Sequence, residues 1–172
     1  MITLKQIIEE HREKYRDKLI WICGLISTDG SLSVSNNSSM SIYIIHSQEI
    51  EWIKQVKRIL DKETLFEAKI VTMKIEKSFG KAQSPRTMYK LRMYNARYFT
   101  WLIIDGIGRK YMMSRKYMIL EKWYYESQAR MYTPLEDEFL LTNSNEKVIK
   151  LANSLKRDKT GIYRRKNFLG LV

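Results

Sequence analysis

The chain has 172 residues, 44% hydrophobic and 12% aromatic, a balance that suits one folded domain with a sizeable core and excludes a largely disordered segment. Its 31 Lys and Arg against 19 Asp and Glu give a formal charge of +12 and a pI near 9.7; the expected partner is a polyanion, most simply nucleic acid, with a membrane surface the weaker alternative. One cysteine excludes an intramolecular disulfide and, with two histidines, argues against structural zinc, while no apolar run approaches the roughly 20 residues of a membrane span.

Residues 1–18 carry charges of both signs and lack a signal-peptide apolar core, so an intracellular protein is expected. Residues 3–15 read as a charged helix to which no function attaches. The run from Leu19 to Leu32 is different: nearly uncharged, helical in character, and closed by Asp29-Gly30. A carboxylate at the C-terminal end of a helix meets unpaired carbonyls and is disfavoured unless a cation joins it. Gly30 suits the left-handed residue that ends such a helix and leaves Asp29 accessible.

Alternation follows. Ser31, Ser33, Ser35 and Asn37 fall on one side of an extended segment, with Leu32 and Val34 on the other. Asn36-Asn37-Ser38 turns the chain, and Ser39, Ser41 and Tyr43 line the same polar side of a returning strand above Met40, Ile42 and Ile44. Solvent or a nucleic-acid groove can cover that polar face. From Gln48 to Asp61 the period becomes helical through Ile53, Val56 and Leu60. Residues 66–77 read as a strand, 79–85 as a turn, and 88–94 as a strand with Lys90 and Arg92 opposite Tyr89, Leu91 and Met93.

A further helix is expected over Asn95–Ile107. Its Leu102-Ile103-Ile104-Asp105-Gly106 echoes the earlier Asp-Gly stretch, but no alternating hairpin follows, so a tandem duplication is rejected. Residues 116–128 read as a helix rich in Met, Trp and Tyr. Thr133-Pro134-Leu135-Glu136 is a strong helix start, and Val148, Leu151, Ala152 and Leu155 mark a last amphipathic helix. Beyond it, Lys156, Arg157, Lys159, Arg164, Arg165 and Lys166 form a basic tail, either a solvated face or a phosphate clamp.

The segment Ile22-Cys23-Gly24-Leu25-Ile26-Ser27-Thr28-Asp29-Gly30 resembles the signature of the LAGLIDADG homing endonucleases, single-motif type. Gly24, Leu25, Ile26, Asp29 and Gly30 match it, while Ser27 stands where the signature has its first Asp. The resemblance implies an α+β fold with an αββαββα core over about residues 17–128, and an antiparallel four-stranded DNA-binding sheet with helices on one face. A helical, basic extension over about 133–172 completes a single domain, 1–172. It also implies a homodimer joined through Ile20, Cys23, Gly24 and Ser27, with Asp29 and the backbone carbonyl region of Gly30 holding Mg²⁺ or Mn²⁺. Lys116, or failing it Lys110, is the expected basic catalytic residue, and His46 orders the attacking water.

On this reading Ser31, Ser33, Ser35, Asn37, Ser39, Ser41, Tyr43, Thr72, Lys74, Lys90 and Arg92 read DNA bases, and the six tail cations grip its backbone. The expected activity is site-specific double-strand DNA cleavage in intron homing, giving short 3′ overhangs on a pseudo-palindromic site, in an organelle or a prokaryotic cytoplasm. A non-cleaving relative, such as a maturase that binds intron RNA or a DNA-binding regulator, is the alternative.

Overall fold

The computed structural model describes residues 2–35, 39–64, 66–75, 86–104, 106–126 and 132–171. Their packing groups the chain into two compact units, Tyr15–Ser127 and the pairing of Met1–Lys14 with Gln128–Val172. In chain order the helices and strands are α1 (Leu4–Lys14), α2 (Arg16–Thr28), β1 (Ser31–Val34), β2 (Met40–Ser47), α3 (Ile50–Glu63), β3 (Ala68–Ile75) and β4 (Arg86–Met93). They continue as α4 (Ala96–Ile103), α5 (Ile107–Tyr111), α6 (Ser114–Glu126), α7 (Pro134–Thr142), α8 (Val148–Leu155) and α9 (Lys159–Phe168). The class is α+β, with one antiparallel four-stranded sheet in the order β1-β2-β4-β3.

In the larger unit the sheet buries Ile42, Ile44, Ile45, Leu91 and Met93. Helix α3 covers this side with Ile53, Val56 and Leu60, the three positions its period predicts, and packs on β2, β3 and β4. Phe66 wedges beneath them against Tyr98 and Phe99 of α4, ring centroids 5.1 and 5.6 Å away. The helix expected over 95–107 is two: α4 stops at Ile103 and the short α5 resumes at Ile107. The Asn36-Asn37-Ser38 turn, the 79–85 turn and Asp105 lie outside the described residues.

Helix α2 buries Leu19, Ile22, Cys23 and Ile26, spaced by three and four, against the unit's interior. Its other side carries Ile20, Trp21, Gly24 and Leu25 at intermediate exposure. In the smaller unit α7 begins in a full capping box, Thr133 and Glu136 satisfying each other's backbone N–H groups. Within the basic tail, residues from Lys159 form α9, started by Asp158, whose carboxylate accepts from the Gly161 N–H at 2.6 Å. Among the described residues no helix is long and apolar enough to cross a membrane.

Candidate functional site

Asp29 is the exposed residue that closes α2, and its N–H shares the Leu25 carbonyl with the Gly30 N–H, both at 3.1 Å. The cation its position demands is Lys116, on α6. The Lys116 ammonium donates to the carbonyls of Ile26 (2.5 Å) and Ser27 (3.0 Å), orphan acceptors at the end of α2, and to that of Gly30 (2.8 Å) just beyond it. Three N–H donors meet three carbonyls, which leaves the ammonium none for another partner. Burial, helped by Arg115, pulls the Lys116 pKa below the ordinary lysine value, while the negative charge of Asp29 opposes this. Lys110, the second choice, is exposed on α5 with its ammonium 5.2 Å from the centre of the Tyr111 ring.

Gly30 is required for a reason other than the expected one. Gly170 carries the single positive-φ glycine backbone among the described residues, so Gly30 is not left-handed. A Cβ at Gly30 would lie 2.6 Å from Ile26 Cα and from the Tyr43 carbonyl oxygen, and 2.7 Å from that of Ile44. Helix end and strand meet backbone to backbone, and a side chain would hold them apart. Its carbonyl, expected near a metal, is instead an acceptor for Lys116.

The register of the sheet decides which side chains share the open face with Asp29. Ser31 pairs Tyr43, Ser33 pairs Ser41, and Tyr43 pairs Arg92. Between Tyr43 and Ile45 the register slips at a bulge, so that Ile44 and Ile45 both turn inward and His46 comes opposite Lys90. His46 thereby joins the polar face. Its Nε2 lies 3.1 Å from Ser31 Oγ, its ring meets Tyr43 edge-on at 5.8 Å, and the Lys90 ammonium stands 5.2 Å from the Tyr43 ring centre. Burial first, then the charges of Lys90 and Lys116, lower the His46 pKa below the ordinary histidine value, against an opposing pull from Asp29.

On β3 the expected readers Thr72 and Lys74 face the wrong way. Thr72 pairs Tyr89 and Lys74 pairs Thr87, so both project from the side opposite Lys90 and Arg92; Lys69, paired with Arg92, is the cation that shares their side. A strand flanked by an unread register offers no sequence signal for that choice. At the first hairpin, Ser35 and Ser39 are exposed and joined through their hydroxyls at 2.6 Å, while Asn37 lies outside the described residues.

The residues expected at a subunit interface divide. Ile20 and Gly24 lie on the outward side of α2, and nothing stands within 4 Å of a Cβ built on Gly24. Cys23 points inward, is fully buried, and has its thiol pushed up to about 12 by that burial. Ser27 is tied within the chain: its hydroxyl donates to the Cys23 carbonyl at 2.7 Å and accepts from the Met113 N–H at 2.8 Å. In the other unit, three of the six tail cations are likewise committed. Arg157 forms a two-pronged pair with Glu136 (2.6 and 3.0 Å), Arg165 with Asp137 (2.7 and 2.6 Å), and the buried Lys166 donates to the Ser144 carbonyl at 2.8 Å. Lys156, Lys159 and Arg164 stay exposed.

Among the described residues no group of three or more His, Cys, Asp or Glu side chains gathers to hold a metal ion. No family model, curated protein or solved structure matches the chain.

Proposed function

We propose that the chain is a metal-dependent, site-specific double-strand DNA endonuclease with a LAGLIDADG-like core, acting as a homodimer. The observation that carries this reading is Asp29: an exposed carboxylate whose helix end is neutralised by Lys116, beside a sheet face of hydroxyls and cations. The order α2-β1-β2-α3-β3-β4-α4 follows the αββαββα core, and the open side of Gly24 suits close approach of a second α2.

The residues present fit Mg²⁺ or Mn²⁺ through Asp29 alone, because the ammonium on the Gly30 carbonyl opposes a second cation there. Magnesium is ordinarily held by one or two carboxylates together with substrate phosphate oxygens and water, and in a homodimer the Asp29 of a second copy would be the further carboxylate. A bound ion supplies charge neutralisation at the phosphate and a more acidic water. His46, whose affinity for a proton its surroundings lower and whose ring meets Ser31, would take a proton from the attacking water. Lys116 acts by positioning: with all three donors committed, it fixes the turn that presents Asp29. Ser31, Ser33, Ser41, Tyr43, Lys90, Arg92 and Lys69 face a major groove, where base edges carry distinct donor and acceptor patterns.

Incubation of the purified protein with a randomised duplex library and Mg²⁺ tests the reading. A defined site cut to short 3′ overhangs is expected, with Asp29→Asn slowing cleavage by at least about 10²-fold and leaving DNA binding intact. Absence of cutting on every target would overturn it. One observation favours a second reading, a non-cleaving intron-RNA maturase or DNA-binding regulator: Ser27 stands in the place of an acid and is spent on internal hydrogen bonds. Metal-independent binding of structured RNA without nicking of DNA would favour it.

A further inference from the structure

Helices α8 and α9 are joined by Lys156, Arg157 and Asp158 alone. Lys156 ends α8 in the left-handed conformation, φ 51°, and Asp158 caps α9. Leu151, Ala152 and Leu155 of α8 and Ile162 of α9 are buried, and the two helices pack on one another. Two packed helices joined by a three-residue turn with one left-handed residue share the connection of the helix-turn-helix.

We propose that α8–α9 is a helix-turn-helix whose second helix, α9, reads the major groove of double-stranded DNA at a site separate from the sheet. The inference rests on the reading that the chain binds DNA, and not on cleavage. Lys159, Thr160, Tyr163, Arg164 and Asn167 recur at the spacing of one helix face, and all are exposed. The opposite side of α9 is anchored: Ile162 and Lys166 are buried, and Arg165 is clamped to Asp137. Charge selects the partner. Lys150, Arg157 and Arg165 are paired with Glu146, Glu136 and Asp137, and Lys166 is buried, which leaves Lys156, Lys159 and Arg164 as the exposed cations beside the single acid Asp158, which the cap consumes. The outward chemistry also matches base edges: an arginine fork suits guanine, an asparagine amide suits adenine, and a threonine hydroxyl suits either. Lys156 and Lys159, beside the turn, suit the flanking phosphates.

The test uses the full chain carrying Asp29→Asn, selected against a randomised duplex library, with Thr160→Ala, Arg164→Ala and Asn167→Ala each added in turn. Each substitution is expected to reduce discrimination by about 5- to 150-fold within one short segment of the selected site, leaving the rest unchanged. Lys159→Ala is expected to weaken binding to all sequences and to lower the salt slope by about 0.9. Arg164→Lys keeps the charge but not the fork, so it reproduces the loss of discrimination even if the alanine variant misfolds. An unchanged selected site in all the α9 variants, with preference lost in Lys90→Ala, overturns the inference and leaves the nuclease reading standing. A site that responds to α9 but is never cut by the unmodified chain in Mg²⁺ overturns the nuclease reading alone. Failure to bind duplex DNA, or stronger selection of single-stranded RNA, overturns the inference outright.

Discussion

At His46, burial and two cations push the same way, and the folded protein binds the imidazole proton less readily than the unfolded chain. A lowered folded pKa contributes stability that is complete above the unfolded value, about 6.5, and is lost as pH falls through the folded value. Replacing His46 with Gln keeps a polar group near Ser31 and removes the titration. Urea unfolding at several pH values below about 6.5 is therefore expected to show a shallower loss of stability in His46→Gln than in the unmodified protein; parallel slopes would count against the shifted imidazole. The neighbouring residues show what single positions disclose. An anion at a helix C-terminus requires a cation, and that much is legible at Asp29. The lysine that answers it lies 90 residues from the Ile26 carbonyl it binds, and its choice over Lys110 depends on where α6 packs. Gly30 announces a backbone that tolerates no side chain, but the carbonyls of Tyr43 and Ile44 that crowd it belong to another element.

Elements add register, which alternation alone does not supply. A strict two-residue period along β2 puts His46 with Ile42 and Ile44, on the buried side; the bulge at Ile44 reverses that and delivers the imidazole beside Ser31 and Lys90. On β3 alternation likewise does not tell Thr72 and Lys74 from Lys69, which the register sets beside Arg92. Amphipathic helices survive such errors because their faces are fixed internally, and the buried positions of α3 and α8 fall where their spacing puts them. The basic tail is ambiguous in sequence for a different reason: charge counts do not reveal which cations already have partners. Glu136 is 1% exposed and Arg157 is its ion partner, so Arg157→Ala strands a buried carboxylate and is expected to cost about 3 kcal/mol of stability. Lys159→Ala, on the exposed side of α9, is expected to leave unfolding unchanged within about 0.5 kcal/mol. Chemical denaturation of the two variants checks the contrast; equal stabilities would mean that the Arg157–Glu136 pair is dispensable.

For the whole molecule, the proposed chemistry needs more carboxylates than one copy brings. Two strands need two cuts, and each copy places one Asp29 at the end of α2. The outward side of that helix offers half-exposed Ile20, Trp21 and Leu25 around a glycine with open space above it. Glycine within a helix costs about 1 kcal/mol relative to alanine, so its presence on this side suits close approach of another backbone better than it suits an isolated helix. If two-fold pairing assembles the site, the number of cuts depends on how many intact carboxylates the pair contains. A mixed dimer of one unmodified chain and one Asp29→Asn chain, purified through two different affinity tags, separates the possibilities on supercoiled plasmid carrying the selected site. Because the ion is proposed to take one carboxylate from each copy, loss of both cuts is expected. Nicking to open circles would mean that each Asp29 serves one strand by itself, and linearisation at the unmodified rate would mean that Asp29 is not required in each half of the pair.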